Sequence, residues 1–150
     1  MASYVKTLGD AVVTALNSAG SGAFSESFTA YFDFDPNFEK LSGAETTVVV
    51  SLGTSEFSTA TIAQDQARDR INISIIKSVA ATESGNDADL IDGMISLLEE
   101  IRWFFRSELV HESQATESAY LGGESVNRGD LGQRMYRQTL QITFDSYRNG

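Results

Sequence analysis

A chain of 150 residues with 41% apolar content is long enough to bury a core and reads as a single domain over residues 1–150. Its formal net charge of −10 argues against a grip on nucleic acid or docking on anionic membranes, both of which call for Lys and Arg. The absence of cysteine excludes disulfides and thiolate metal sites, and no apolar run approaches the roughly 20 residues that a membrane helix needs.

The first element is an amphipathic helix over residues 3–17, with Val5, Leu8, Val12 and Leu16 on one stripe and Ser3 as N-cap. Asp10 inside this stretch argues against a signal peptide. Asn17 to Gly22 stops the helix. Residues 24–34 switch to a period of two. Phe24, Phe28, Ala30, Phe32 and Phe34 share one parity, which predicts a strand with one buried face, followed by turn chemistry at Asp35-Pro36-Asn37.

Residues 46–52, TTVVVSL, are β-branched and predict a second strand. Residues 53–67 are small and polar without periodicity, so a long loop or a loosely formed hairpin arm is expected there. Arg68 to Val79 predicts a third strand, with Ile71, Ile73 and Ile75 facing one way and Arg70, Asn72, Ser74 and Ile76 the other. A long helix then runs from about Asp87 to Ser107, with Leu90, Met94, Leu97, Ile101 and Phe104 or Phe105 as its buried stripe. Asp89 and Asp92 suit its positive end, and Arg102 and Arg106 its negative end. Trp103, Phe104 and Phe105 lie about 100° apart on the helical wheel, so they cannot all share the stripe. Trp103 is expected off it, packing under residues 108–133 or facing a partner, with intramolecular packing favoured. Within 108–133, Ala115 to Leu121 reads as a strand that Gly122-Gly123 ends, and the rest as a flexible arm. The last strand alternates Tyr136, Leu140, Ile142 and Phe144 with Arg137, Thr139, Gln141 and Thr143.

The order α-β-β-β-α-β-β predicts an α+β fold, a mostly antiparallel sheet of four or five strands with two helices on one face. Polar arms at about 53–67 and 111–133 interrupt it.

The candidates for chemistry are few. His111 is the only histidine, and no G-x-S-x-G elbow accompanies it, so a helix-end or surface role is the simpler reading. Asp87, Asp89 and Asp92 do not make an EF-hand loop, because Gly93 comes one position late and Ile91 stands at a ligand position. No phosphate-binding loop is present in the sequence. No catalytic residue, metal site or cofactor is expected. Arg68 and Arg70 lie on one parity of a strand, either ion-paired to Asp65 and Asp69 or facing another subunit. The candidate interface residues are Phe57, Ile62, Arg68, Arg70, Tyr120, Arg128 and Arg134.

The succession of an N-terminal helix, TTVVVSL with a polar arm, ARDRINISIIKSV, DLIDGMISLLEEIRWFF and YRQTLQITFDSYR resembles bacteriophage tail terminator proteins. These are the tail completion or minor tail proteins of the lambda-like type. The nearest to diagnostic pieces are Val48-Val49-Val50, Arg68 before the isoleucine strand, and Leu140-x-Ile142-x-Phe144. The resemblance implies a virion protein, present in the host cytoplasm during assembly. It would form a homo-oligomeric ring, a hexamer, that caps the head-proximal end of the tail tube. Its partners would be the tail tube protein and a head-completion or neck protein. DNA would pass through the lumen without specific binding, eased by like-charge repulsion if the channel is acidic, and there would be no membrane association. Three alternatives stay open. One is a head-completion or neck connector of the same joint. Another is a small acidic enzyme or ligand-binding domain using His111. The third is a regulatory module that adds an edge strand to a host protein.

Overall fold

The computed structural model describes residues 4–19, 23–26, 28–34, 46–59, 64–80, 87–106, 109–110, 113–128 and 133–149. Its elements are α1 (Tyr4–Asn17), β1 (Thr29–Phe32), β2 (Thr47–Thr59), β3 (Gln64–Ala80), α2 (Asp87–Arg106), β4 (Leu109–Val110), β5 (Ser113–Arg128) and β6 (Gln133–Asn149). They form one six-stranded sheet in the order β1-β2-β3-β6-β5-β4. Only β1 and β2 run parallel, while the other pairs are antiparallel. The fold is the predicted α+β arrangement, with the two-residue β4 added to five longer strands. Ser3, Pro36, Ile62 and His111 lie outside the described residues.

Both helices pack on one face of the sheet. Leu8, Val12 and Leu16 of α1 and Met94, Leu97, Ile101 and Phe105 of α2 share a core with Val48, Val50, Ile71, Ile73, Ile75, Leu140, Ile142 and Phe144. The alternation of β3 and β6 and the helical stripes thus converge on one buried layer. A second, smaller cluster of Val49, Ile76 and Met135, flanked by Tyr31, lies on the opposite parity.

Three predicted boundaries move. The strand expected over residues 24–34 is only Thr29–Phe32. Before it the chain bends, and the Ser25 backbone N–H and hydroxyl donate to the Glu100 carboxylate of α2 at 2.8 and 2.6 Å. Phe24 packs on Phe28 and Phe104, with ring centroids 5.3 and 5.5 Å away. Its parity with Phe28 therefore reports a shared core and not a continuous ladder. The polar stretch 53–67 is the hairpin of the two alternatives, with Thr59 opposite Asp65. β5 does not end at Gly122-Gly123 but continues to Arg128, paired with β6 throughout. Gly122 takes φ +94° beside a register shift between Tyr120 and Gly122. The glycine here permits a bulge, and the strand resumes after it.

The two long hairpins point to opposite ends of the sheet. Gln64, at the base of the β2–β3 tip, lies opposite Asn149, while Gln133, at the base of the β5–β6 tip, lies opposite Ala80.

Two helical glycines give opposite predictions. A Cβ on Gly9 would sit 2.5 Å from the Phe32 ring, whereas one on Gly93 would meet nothing within 4 Å. Gly93→Ala is expected to stabilise by about 0.5–1 kcal/mol through helix propensity. Gly9→Ala gains the same propensity but must displace a packed ring, and a net loss of roughly 1–2 kcal/mol is expected. Guanidinium denaturation of the two variants checks the sign of each.

Candidate functional site

Among the described residues, those that could carry chemistry do not gather. Asp89 and Asp92 are exposed on the first turns of α2. Among the described residues, no group of three or more His, Cys, Asp or Glu side chains could hold a metal ion. No helix among them is long and apolar enough to cross a membrane.

The sheet face away from the helices carries a polar ladder between β3 and β6. Ser74 and Thr139 share a hydrogen bond of 2.9 Å between their hydroxyls, and Gln141 Nε2 donates to Asn72 Oδ1 at 3.0 Å. Each of these is a directly opposed pair in the register. Such cross-strand pairs stabilise a sheet whose face is not apolar. Arg68 continues the ladder. Its Nη2 lies 2.8 Å from Glu117 of β5, and its Nε 3.2 Å from Asp145 of β6. Hydrogen bonds to Glu117 and then Asp145 hold the guanidinium above its ordinary pKa. The partners of Arg68 are thus Glu117 and Asp145, on neighbouring strands, where the sequence suggested Asp65 or Asp69. The strand twist and register, invisible in the local sequence, bring them together. Arg70 Nη1 donates to Thr54 Oγ1 at 3.1 Å.

The other distinctive surface runs along β5 and the adjoining side of α2. β4 covers β5 only at Ser113 and Gln114. From Ala115 onward the outer edge of β5 has no strand partner among the described residues. Side chains from Thr116 to Leu121 are all exposed except Glu117's contact with Arg68 and the bonds made by Ser118 and Tyr120. Arg102 Nε donates to Ser118 Oγ at 2.8 Å, and the Tyr120 hydroxyl donates to Gln138 Oε1. A cleft of about 380 Å³ lies between Arg102, Arg106 and Ala115–Ser118. A second, of about 250 Å³, lies between Leu98, Arg102, Ser118 and Tyr120. Trp103 is not packed under the 108–133 segment as favoured above. It is 59% exposed, with the Arg106 guanidinium 4.7 Å from its ring centroid. The stripe of α2 is filled by Ile101, Phe104 and Phe105, which leaves Trp103 to face outward.

No family model matches the chain. No curated protein matches it either. Among solved structures it is similar to a chain of the "Virion of native gene transfer agent (GTA) particle". That likeness has a TM-score of 0.40 and 11% sequence identity, and covers 95% of each chain.

The candidate interface residues fall into separate groups. Phe57 stands on β2 opposite Ala67, near the β2–β3 tip. Arg128 and Arg134 stand on β5 and β6 near the other tip, opposite Gln133 and Asn127. Arg68 and Arg70 lie on the ladder face between them, and Tyr120 on β5, half-exposed. Phe34 and Leu121, 64 and 53% exposed, are not among these candidates, and Trp103, 59% exposed, takes the outward orientation that was the less favoured of its two readings. The three consecutive aromatics at 103–105 were the available signal for Trp103. Phe34 and Leu121 gave none, because each continues an apolar alternation.

Proposed function

We propose that this chain is a structural, non-catalytic virion protein of the tail-terminator kind. It assembles as a ring, a hexamer, at the head-proximal end of a phage tail tube, stops tube growth, and presents a surface to a head-completion or neck protein. The observation that supports this reading most is the combination of the resembling element order with a sheet whose β5 edge has, from Ala115 onward, no strand partner among the described residues. A strand edge exposed over this length is suited to joining other chains. The chain's −10 charge suits a channel through which DNA passes without being held.

Native mass spectrometry of the chain, alone and mixed with its cognate tail-tube protein, tests the proposal. A closed oligomer that forms alone or on contact with tubes is the expected result. A strict monomer that never binds tubes would contradict it. A channel lined mainly with Lys and Arg, once the assembled ring is imaged, would remove the repulsive-lumen component.

A further inference from the structure

The chain is strongly acidic, yet two of its guanidinium groups stand without an acid. Lys6 pairs with Asp10, Lys77 with Glu26, and Arg68 with both Glu117 and Asp145. Arg102 and Arg106 are exposed one turn apart on α2, and neither has a carboxylate partner among the described residues. Both line the cleft of about 380 Å³ between α2 and β5.

Neutral contacts hold the two groups in place. Arg102 donates from Nε to the Ser118 hydroxyl at 2.8 Å. Arg106 rests 4.7 Å from the Trp103 ring centroid, and an aromatic ring attracts a cation without taking up its N–H donors. No hydrogen bond from the Nη atoms of either residue is formed among the described residues. A pair of such forks is the arrangement that binds a carboxylate in two-pronged fashion. Two acids lie close by, and neither neutralises the pair. Glu117 borders the cleft, but its carboxylate reaches Arg68 at 2.8 Å on the ladder face of the sheet, away from α2. Glu99 borders the neighbouring cleft with Arg102 and makes no ion pair with it.

The rest of the lining says what kind of anion fits. Ala115 is half-buried and Ile142 buried, so the floor is apolar and suits an aliphatic stem beneath the charged group. Beside it, the outer edge of β5 has no strand partner from Ala115 onward among the described residues, so an extended backbone can lie along it. A carboxylate on a short aliphatic stem, carried by an extended backbone, is an Asp or Glu side chain of a peptide. A nucleic-acid strand lacks the stem and meets the repulsion of a chain with net charge −10.

We propose that the α2–β5 cleft receives an acidic segment of a partner protein, with an Asp or Glu carboxylate held between Arg102 and Arg106. The site goes beyond the ring reading and stands whether or not the chain caps a tube.

Fluorescein-labelled hexaglutamate titrated with the full chain at low salt tests it by anisotropy. Saturable binding is expected, accompanied by a change in emission from Trp103, the only tryptophan, as Arg106 turns to the peptide. Arg102→Gln with Arg106→Gln should weaken binding at least about 10-fold, and the double lysine variant should fall between, because it keeps the charge and loses the fork. Both positions are exposed, so circular dichroism and the thermal midpoint should stay close to wild type. A single-stranded oligonucleotide should bind at least about 10-fold more weakly than the peptide, and inorganic phosphate at matched ionic strength should not displace it. Glu108→Gln with Glu112→Gln removes the acids nearest Arg106 in sequence and should leave the affinity unchanged. No binding of the peptide, binding indifferent to both arginines, or tighter binding of the oligonucleotide would overturn the proposal. So would a clear gain in affinity in the Glu108/Glu112 variant, which would mean that the cleft already holds a carboxylate of its own chain. Peptide binding without any binding to tubes would leave this site standing and refute the terminator reading, and the converse would refute this site alone.

Discussion

Phe105→Ala is expected to cost about 3–5 kcal/mol, the largest loss of any single substitution considered for this chain. The Phe105 side chain is fully buried. Its ring meets Phe104 at 5.1 Å and Phe144 at 5.9 Å between centroids, both near edge-on. That geometry adds to the area buried, because ring edges and faces carry opposite partial charge. Phe104 in turn contacts Phe24, so the row of rings ties the segment before β1, the helix α2 and the last strand together. Truncation leaves a cavity at the junction of three elements, none of which can close it alone. Against a total stability of roughly 5–15 kcal/mol the loss is at least about a fifth of the whole, and at the lower end of that range it would leave the variant partly unfolded at room temperature. Phe34→Ala serves as the comparison. Its ring is 64% exposed, and a change within about 0.5 kcal/mol is expected. Urea midpoints of the two variants give the contrast directly.

Asn17→Ala is expected to cost about 2–4 kcal/mol, an unusually large effect for a polar residue at a helix end. The Asn17 amide stands where another strand would. Its Nδ2 donates to the Ala30 carbonyl and its Oδ1 accepts from the Ala30 N–H, both at 2.9 Å. Ala30 is itself buried. Removing the amide leaves a donor and an acceptor unpaired, each costing roughly 1–3 kcal/mol to the extent that water cannot reach it. Asn17→Asp should fall between, since a carboxylate can accept from the N–H but cannot donate to the carbonyl. Faster amide exchange at Ala30 in both variants would accompany the loss. Unchanged exchange would mean that the edge of β1 is held by something else.

The parts of the fold legible in the sequence are those where one face is apolar and the other is not. β3 and β6 alternate cleanly because Ile71, Ile73, Ile75, Leu140, Ile142 and Phe144 face the helices and polar partners face the ladder. α1 and α2 declare themselves through stripes at Leu8, Val12, Leu16 and at Met94, Leu97, Ile101. The hairpin halves of β2 and β5 were hard to read for the converse reason. Thr54 and Ser55 are exposed, as are Thr116 through Leu121, so no period of two survives. Backbone pairing holds these strands, and it leaves no trace in side-chain polarity. The glycine pair at 122–123 misled for a related reason, since a bulge and a strand end call for the same residue. The partners of Arg68 depended on register across three strands. The edge of β5 was thus the least visible feature, because a strand edge is defined by what does not pair with it.

A tail terminator, the role proposed for this chain, acts by assembling on the end of a tube. The most direct measurement is electron microscopy of the cognate tail-tube protein polymerising with gold-labelled chain present. The predicted result is label at one end of each tube and lengths that stop increasing once the label is bound. Tubes that grow to the same length with or without the chain, and carry label nowhere or along their whole length, would contradict it.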